Sequence, residues 1–374
     1  MNKFEWKSIV KFNILALKLI GLWPSEDDTY QRNFYSFYSA TVLIVFVCGH
    51  NVFQTINVFL VLDDLEAFTA TIFVTLTCIG GVLKAYSLIQ NMDTLKKLFV
   101  TLRSEMFQPK ISQMDLIQPS IRVWTLIYNS LCVMAALCAF FWTTYPILDK
   151  SEYRLPFLAW YPFETSVSPN YELTYLYQII SVYYIEMVNF NIDALIAALN
   201  MFIGAQCDIL CDNLRNLAEL GLEENFVICI KHHKAILEFA EKCNNFYNWI
   251  LLFQFFTSAV SVGFSLFQLT QVVPFTSEFY SFIAYGGAVI GEIFVYCWFG
   301  NEVEIKSSKI LYAIFETRWI DAPEVHTNVI IFSIRAQRSI KLSALKLFYL
   351  SVDTFKMILR SAWSYFAVLV QVNS

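Results

Sequence analysis

The sequence predicts an all-α membrane protein with seven transmembrane helices, its N-terminus cytoplasmic, its C-terminus extracellular, and a helical anchor bundle on the cytoplasmic side. Three observations lead there. Of the 374 residues, 57% are hydrophobic and only 15% charged, at a mean hydropathy of +0.51, well outside the range of soluble domains. Apolar runs long enough to cross a bilayer fall at about 34–62, 67–90, 123–148, 173–204, 246–273, 279–300 and 347–371. With the N-terminus inside, Lys150 and Arg154 are the only basic residues in outer loops, and Lys356 and Arg360 the only ones in the last span. The other lysines and arginines gather at the inner segments, which fixes the orientation.

Taken in order, residues 1–33 are expected to form a cytoplasmic, interfacial segment. Lys7, Lys11 and Lys18 interrupt what would be a signal-peptide core. Together with Lys3 they share one helical face, opposite Ile9, Leu15 and Ile20, so this helix should lie on anionic membrane lipid and end at Trp23-Pro24. Residues 34–300 hold six spans, counting Arg32 on their cytoplasmic approach. Amphipathic stretches at Met92–Leu102, Cys207–Leu220, Ile228–Phe246 and Asn328–Leu347 should extend the helices past the inner face. They suggest a place where subunits dock, or surfaces that cover one another within one chain. Residues 301–346 form the cytoplasmic anchor region and 347–374 the seventh span.

Chemistry is sparse. There is no phosphate-binding glycine loop, no nucleophile elbow and no zinc-protease motif, so no enzyme and no cofactor are expected. Cys229, His232 and His233, and the pair Cys207 and Cys211, do not make a four-ligand metal site. The cysteines avoid the outer loops, which argues against an extracellular disulfide framework. The net charge of −5 says little about partners, and no nucleic acid is expected among them.

Four carboxylate or ammonium side chains fall inside the first six spans. Lys84 and Asp193 lie near the inner ends and should reach water. Glu186 is near mid-depth, where it either takes an internal hydrogen bond or faces a water-filled or ligand cavity; Glu292 sits in the sixth span. Gly287 and Gly291 make a close-packing motif on that span. Aromatic residues crowd the outer halves of three spans: Phe140, Phe141, Trp142 and Tyr145; Tyr175, Tyr177, Tyr183 and Tyr184; Phe279, Tyr280, Phe282 and Tyr285. Phe73 and Leu76 reach the same depth, as do Cys138, Met187 and Ile283. Walls of this kind would hold a small apolar or aromatic molecule, although each aromatic taken singly could be packing or interfacial belt.

The last span carries the sharpest pattern. Asp353, Lys356, Arg360, Ser364, Ala367 and Gln371 recur at helical spacing and fall within roughly a quarter of the circumference. Polar residues in a span face protein or water. Either this stripe packs within its own bundle, with Lys356 and Arg360 reaching the near interface, or several copies around an axis line a pore.

Several motifs together resemble the insect odorant receptor family. Leu155 to Phe163 (Leu-Pro-Phe-Leu-Ala-Trp-Tyr-Pro-Phe), followed by Tyr175 and Gln178, is similar to its second outer loop. His232 to Phe239, with Asn245-Phe246 and Gln254-Phe255, resembles its approach to span five. Cys297, Gly300, Ser307 and Trp319 resemble the region after span six, and Ala336-Gln337, Leu342 and Ser361 to Phe366 the C-terminal signature. The resemblance implies a ligand-gated, non-selective cation channel of four subunits around a central pore, each contributing its last span. Tuning receptors in the family assemble with a common coreceptor that carries a long insertion before span five; the segment from Ala205 to Cys243 here is short, so the resemblance implies the odour-tuning subunit. It also implies that Val368 and Gln371 lie at the extracellular gate, that permeant cations pass there and that a small volatile odorant is the ligand. Mosquito members look most similar, the indole-responsive group among them. A gustatory-type receptor channel is the neighbouring alternative, its Thr-Tyr…Gln-Phe ending nearly matched by Ser364-Tyr365…Gln371-Val372; a secondary transporter is the alternative from another class, against which the lack of a visible internal repeat counts.

Overall fold

Helix formation dominates wherever the sequence is apolar and free of glycine and proline. The computed structural model describes residues 4–24, 34–148, 154–217, 222–317 and 323–373. Lys3, Arg32, Lys150, Trp319 and the end of the Cys207–Leu220 stretch lie outside the described residues.

The N-terminal segment forms α1 (Trp6–Ile9) and α2 (Lys11–Leu19), and its packing differs from the expected one. Trp6, Val10, Ile14 and Leu17 are its buried line. Trp6 donates its Nε1–H to the Phe107 carbonyl (3.1 Å) and sets its ring edge-on to Phe202, 5.5 Å away. Asn13 donates to the Asn191 carbonyl at 2.8 Å. The segment is therefore clamped on protein, while Phe12, Leu15 and Leu19 form a separate exposed apolar sector; Ile20, expected in that sector, is buried. Gly21 turns the chain out of α2 at φ +81°, where a Cβ would approach the Ser39 Cα to 2.9 Å.

The first span is α3 (Phe34–Val42), a π-helical stretch at Leu43–Cys48, and α4 (Gly49–Leu60). A π turn loosens the carbonyl ladder, and the Tyr177 hydroxyl of the fourth span donates to the Val45 carbonyl there, at 2.8 Å. Asp64 caps α5 (Leu65–Gln90) by accepting from the backbone of Glu66 and Ala67 at 3.0 and 3.1 Å. Asn91 then interrupts the helix, so Met92–Leu102 is a separate α6 whose buried face is Met92, Leu95, Leu98, Phe99 and Leu102.

Three longer helices set the architecture. They are α8 (Asn170–Arg215), α9 (Leu222–Gln271) and α10 (Ser277–Phe315), with α7 (Met114–Leu148) alongside. At 1.5 Å per residue, the 46 residues of α8 span about 69 Å, more than twice a ~30 Å hydrocarbon core. Its inner half therefore extends past the membrane, as do those of α9 and α10. From Val188 to Leu214 every α8 residue except Asp208, Asp212 and Asn213 is buried, as expected for a helix surrounded on all sides.

Between α10 and the last helix the chain departs from the expected single helix at Asn328–Leu347. α11 (His326–Ala336) is followed by an antiparallel hairpin, β1 (Ser343–Ala344) against β2 (Phe348–Tyr349), and α12 runs from Val352 to Asn373 rather than from Leu347. Leu345 and Lys346 take positive φ in the turn, at 50° and 60°. The hairpin is seated from outside: Ser307 Oγ accepts from the Ile340 backbone (2.9 Å) and Asn244 Oδ1 from that of Ser343 (2.8 Å). Leu350 lies so close to Gly300 that no Cβ fits there.

Among the described residues, six helical segments (the α3–α4 unit, α5, α7, α8, α9 and α10) are long and apolar enough to cross a membrane, and α12 adds a further helix of 22 residues. α12 buries Thr354, Ile358 and Ala362. It approaches α9 closest at Gly263, where a Cβ would meet the Ala362 carbonyl at 2.9 Å and Tyr365 Cβ at 3.0 Å.

Candidate functional site

A small cavity of about 30 Å³ lies where α5, α7, α8 and α10 meet. Val74, Thr77 and Cys78 line it from α5, and Cys138, Ala139 and Trp142 from α7. Val182, Ile185 and Glu186 come from α8 and Tyr285 from α10. Phe157, in the outer loop, stacks on Trp142 at 5.0 Å and 16° and roofs it.

Local hydrogen bonding holds that roof. Gln178 uses its whole amide on the loop: Oε1 accepts from the Phe157 backbone (3.0 Å), and Nε2 donates to the Phe157 carbonyl and to the Tyr161 hydroxyl. The Tyr145 hydroxyl donates to the Pro156 carbonyl at 3.0 Å. The Leu155–Phe163 motif is thus a folded lid tied down at the Pro156 carbonyl and at both backbone groups of Phe157 by side chains below it. At the outer rim, Arg154 pairs with Glu278 at 2.6 Å. The floor is tied together by Tyr285, whose hydroxyl shares a 2.5 Å hydrogen bond with Thr77 Oγ1 and donates to the Phe73 carbonyl at 3.2 Å.

Of the expected ligand contacts, the structure brings Cys138 and Trp142 to this cavity, with Phe73 behind it, its ring 4.8 Å from Tyr285. Leu76 and Met187 are half-buried and off its lining. Tyr184 turns the other way, its hydroxyl on the Ile20 carbonyl. Tyr183, at 41% exposed, Tyr280 and Ile283 lie on the outer surface, and Phe141 stacks on Tyr280 at 6.2 Å rather than entering the cavity. Helical phase is the reason: Tyr280 and Ile283 sit about 140° and 160° round α10 from Tyr285. Aromatic density without phase selected them. Val74, Thr77, Cys78, Ala139, Val182 and Ile185 were not singled out; the helical spacing of Thr77 four residues after Phe73, and of Val182 four residues before Glu186, was the signal available for those two.

Beneath the cavity lies an ionic cluster. Lys84, at 2% exposed, pairs with Asp193, at 1%, over 2.8 Å, and Glu292 is 3.7 Å from the same ammonium. The Tyr296 hydroxyl also binds Asp193, and Gln254 Nε2 donates to Glu292 at 2.7 Å. Lys84 and Asp193 thus do not reach water, contrary to expectation; they satisfy each other, because an isolated charge at that depth would cost several kcal/mol. The cluster joins α5, α8, α9 and α10 just below the small cavity.

Farther in, His232 Nε2 lies 2.9 Å from Gln206 Oε1, and the His233 ring meets Phe332 edge-on at 5.0 Å. Burial holds both imidazoles down, each to about 4, so both are neutral at ordinary pH. They are structural groups in the inner bundle, not a cation site.

On α12 the polar stripe is exposed. Asp353 is 91% exposed and pairs with Lys356 within the helix at 3.2 Å; Arg360, Ser364, Ala367, Val368 and Gln371 are exposed as well. The stripe lies on the side of α12 turned away from the Thr354, Ile358 and Ala362 contact face, so the helices of its own chain do not cover it. Beside it, α9 and α12 frame an open apolar groove of about 630 Å³ that includes Trp249, Phe256, Met357 and Tyr365.

A family model described as 7tm odorant receptor matches residues 64–363. Odorant receptor 46a, isoform A, of Drosophila melanogaster is 24% identical over 371 residues, covering 96% of each chain. The odorant receptor coreceptor of the same fly is 27% identical over 145 residues, which cover 38% of this chain and 30% of that one. Among solved structures, the insect olfactory receptor OR5 from Machilis hrabei in complex with eugenol superposes with a TM-score of 0.89 at 20% identity, covering 98% of both chains.

Proposed function

The chain belongs to the odorant receptor family, and from that membership we propose that it is the odour-tuning subunit of a heteromeric, ligand-gated, non-selective cation channel. A small apolar or aromatic volatile enters the cavity under Phe157, and the channel opens around α12. The observation that carries this reading is the uncovered polar stripe from Asp353 to Gln371 on a helix whose other face is closely packed. Placed around a shared axis, such stripes face water and one another. The stretch similar to the fly coreceptor supports a coreceptor as the neighbouring subunit, since related chains can offer matching surfaces. Asp353, Lys356, Arg360, Ser364, Val368 and Gln371 are the proposed conduction residues, with Val368 and Gln371 at the outer gate. Cys138, Trp142 and Phe73 are retained as the proposed ligand contacts, joined by Glu186 and Tyr285.

A ligand opens the channel only by binding the open state better than the closed one. A cavity of about 30 Å³ is far below the ~300 Å³ at the lower end of ligand pockets, so occupancy must displace walls. Two helices connect those walls to α12. Tyr285 stands on α10, whose inner part meets the base of α12 through Phe294 and Phe355 (5.6 Å) and through Gly300 and Leu350. Ser261 of α9 reaches the Phe73 carbonyl at 3.5 Å, and Gly263, two residues on, abuts Ala362. Moving either helix tilts α12.

The protein spans the membrane several times; the plasma membrane of olfactory sensory neurons is the proposed site of action, and the reading contains no catalytic step. Co-expression with a coreceptor, followed by recording of odour-evoked current, tests it. Odour-evoked cation current that requires both chains is expected. Surface-expressed receptor that gives no current, or saturable solute uptake without current, would overturn the channel reading in favour of a transporter.

A further inference from the structure

We infer that the cavity selects small, mostly apolar molecules that carry one O–H or N–H donor, and that Glu186 is the group that reads that donor. The inference rests on the ligand-gated reading above and names the chemistry its cavity takes.

Three observations converge. First, the cavity walls are apolar or aromatic except for Thr77, Tyr285 and Glu186. The two hydroxyls are committed to each other and to the Phe73 carbonyl, which leaves Glu186 as the lining acceptor with capacity to spare. No hydrogen bond among the described residues holds its carboxyl. Second, the cluster below offers Glu186 no contact of its own. The single ammonium of Lys84 lies against Asp193 at 2.8 Å and Glu292 at 3.7 Å. A donor arriving at Glu186 supplies the hydrogen bond that its carboxyl lacks, whereas an ether or ester oxygen has no proton to give. Third, the Trp142 indole lines the same cavity, 7% exposed, and its buried Nε1–H has no acceptor among the described residues. A hydroxyl satisfies both groups at once, donating to Glu186 and accepting from Trp142; an N–H satisfies Glu186 alone. The remaining walls, Phe157 above and Val182 and Ile185 beside, favour a flat hydrocarbon body.

The test uses the full receptor co-expressed with a coreceptor, and near-isosteric ligand pairs of which one member lacks the donor: 4-methylphenol against 4-fluorotoluene, and indole against benzofuran. A hydrogen bond to a buried carboxyl separates such pairs by about 10-fold in half-maximal concentration. The donor member of each pair should win by that factor, and Glu186→Leu, which keeps the volume and removes the acceptor, should bring the pair to parity. Equal potency within each pair in the wild-type receptor, or a ratio that survives Glu186→Leu, would overturn the inference while leaving the channel reading standing. If Glu186→Leu does not reach the surface, the wild-type pairs decide alone. If no ligand in a broad panel evokes current from surface-expressed receptor, the channel reading itself fails and this inference with it.

Discussion

Replacing Lys84 with methionine tests the buried cluster most severely. The substitution keeps the length and apolar stem of the side chain but removes the one ammonium that Asp193 touches at 2.8 Å and Glu292 approaches to 3.7 Å. At an effective dielectric constant near 20, the closer pair alone is attractive by about 6 kcal/mol, offset by a desolvation cost of several kcal/mol per ion. The intact pair therefore contributes little net stability. Losing one partner is different, because Asp193 at 1% exposure is left charged without a cation beside it, or must take up a proton. Breaking a buried pair in this way costs about 3–5 kcal/mol. Thermal unfolding of purified receptor, read by fluorescence, should show a clear drop for Lys84→Met and a similar one for Asp193→Asn. The double variant should recover much of the loss, since neither charge remains uncompensated. If Lys84→Met unfolds where the wild type does, or if the double variant is as unstable as the sum of the singles, the cluster is not the paired arrangement described.

Three further outcomes are expected. Trp142→Ala should shift half-maximal odorant concentration about 10-fold or more by removing the ring under Phe157, whereas Tyr183→Ala, on the outer surface, should leave it within about 2-fold; dose–response curves at matched surface expression distinguish the two. Gly263→Val should force α12 away from α9 at Ala362 and change basal current or ligand efficacy more than it changes the rank order of ligands, as recorded across a panel. His232 is held near 4 in the folded bundle by burial, with its neighbour His233 adding to the effect, against an ordinary value of 6.5. Because the folded state binds fewer protons there, stability should be fully present above pH 6.5, fall on the order of 3 kcal/mol between pH 6.5 and 4, and level off below, in unfolding of purified receptor; His232→Gln should flatten that slope.

How much of this was legible in the sequence follows from the range of the interactions involved. Spans are set by local composition, so their number and approximate limits could be read directly, and the stripe from Asp353 to Gln371 is a helical phase relation visible in the residues themselves. The hairpin before α12 was not legible, because Leu345 and Lys346 adopt positive φ without the glycine or asparagine that marks such turns; what holds it are Gly300, Ser307 and Asn244, remote in sequence. The Lys84–Asp193 pair joins residues 109 positions apart, so nothing local distinguishes a lysine reaching water from one buried against a carboxylate. The cavity was half legible. Depth and aromatic density located Trp142 and Cys138, but without phase the same reasoning reached Tyr183, Tyr280 and Ile283, which point outward. The N-terminal helix showed its lysine face but not its partner, since the surface that buries Trp6 and Asn13 is built by Phe107, Asn191 and Phe202.

The central claim is that the polar face of α12 lines the path of the ions, and cysteine accessibility along that helix tests it directly. With the receptor and coreceptor co-expressed, a charged, water-soluble thiol reagent should reduce odour-evoked current through Ser364→Cys and Gln371→Cys, faster when odorant is present, and leave Ile358→Cys and Ala362→Cys unaffected, as it should the wild type with its own cysteines. Modification that follows the Ile358 and Ala362 face, or that changes no current at any stripe position while labelling them all, would contradict the account.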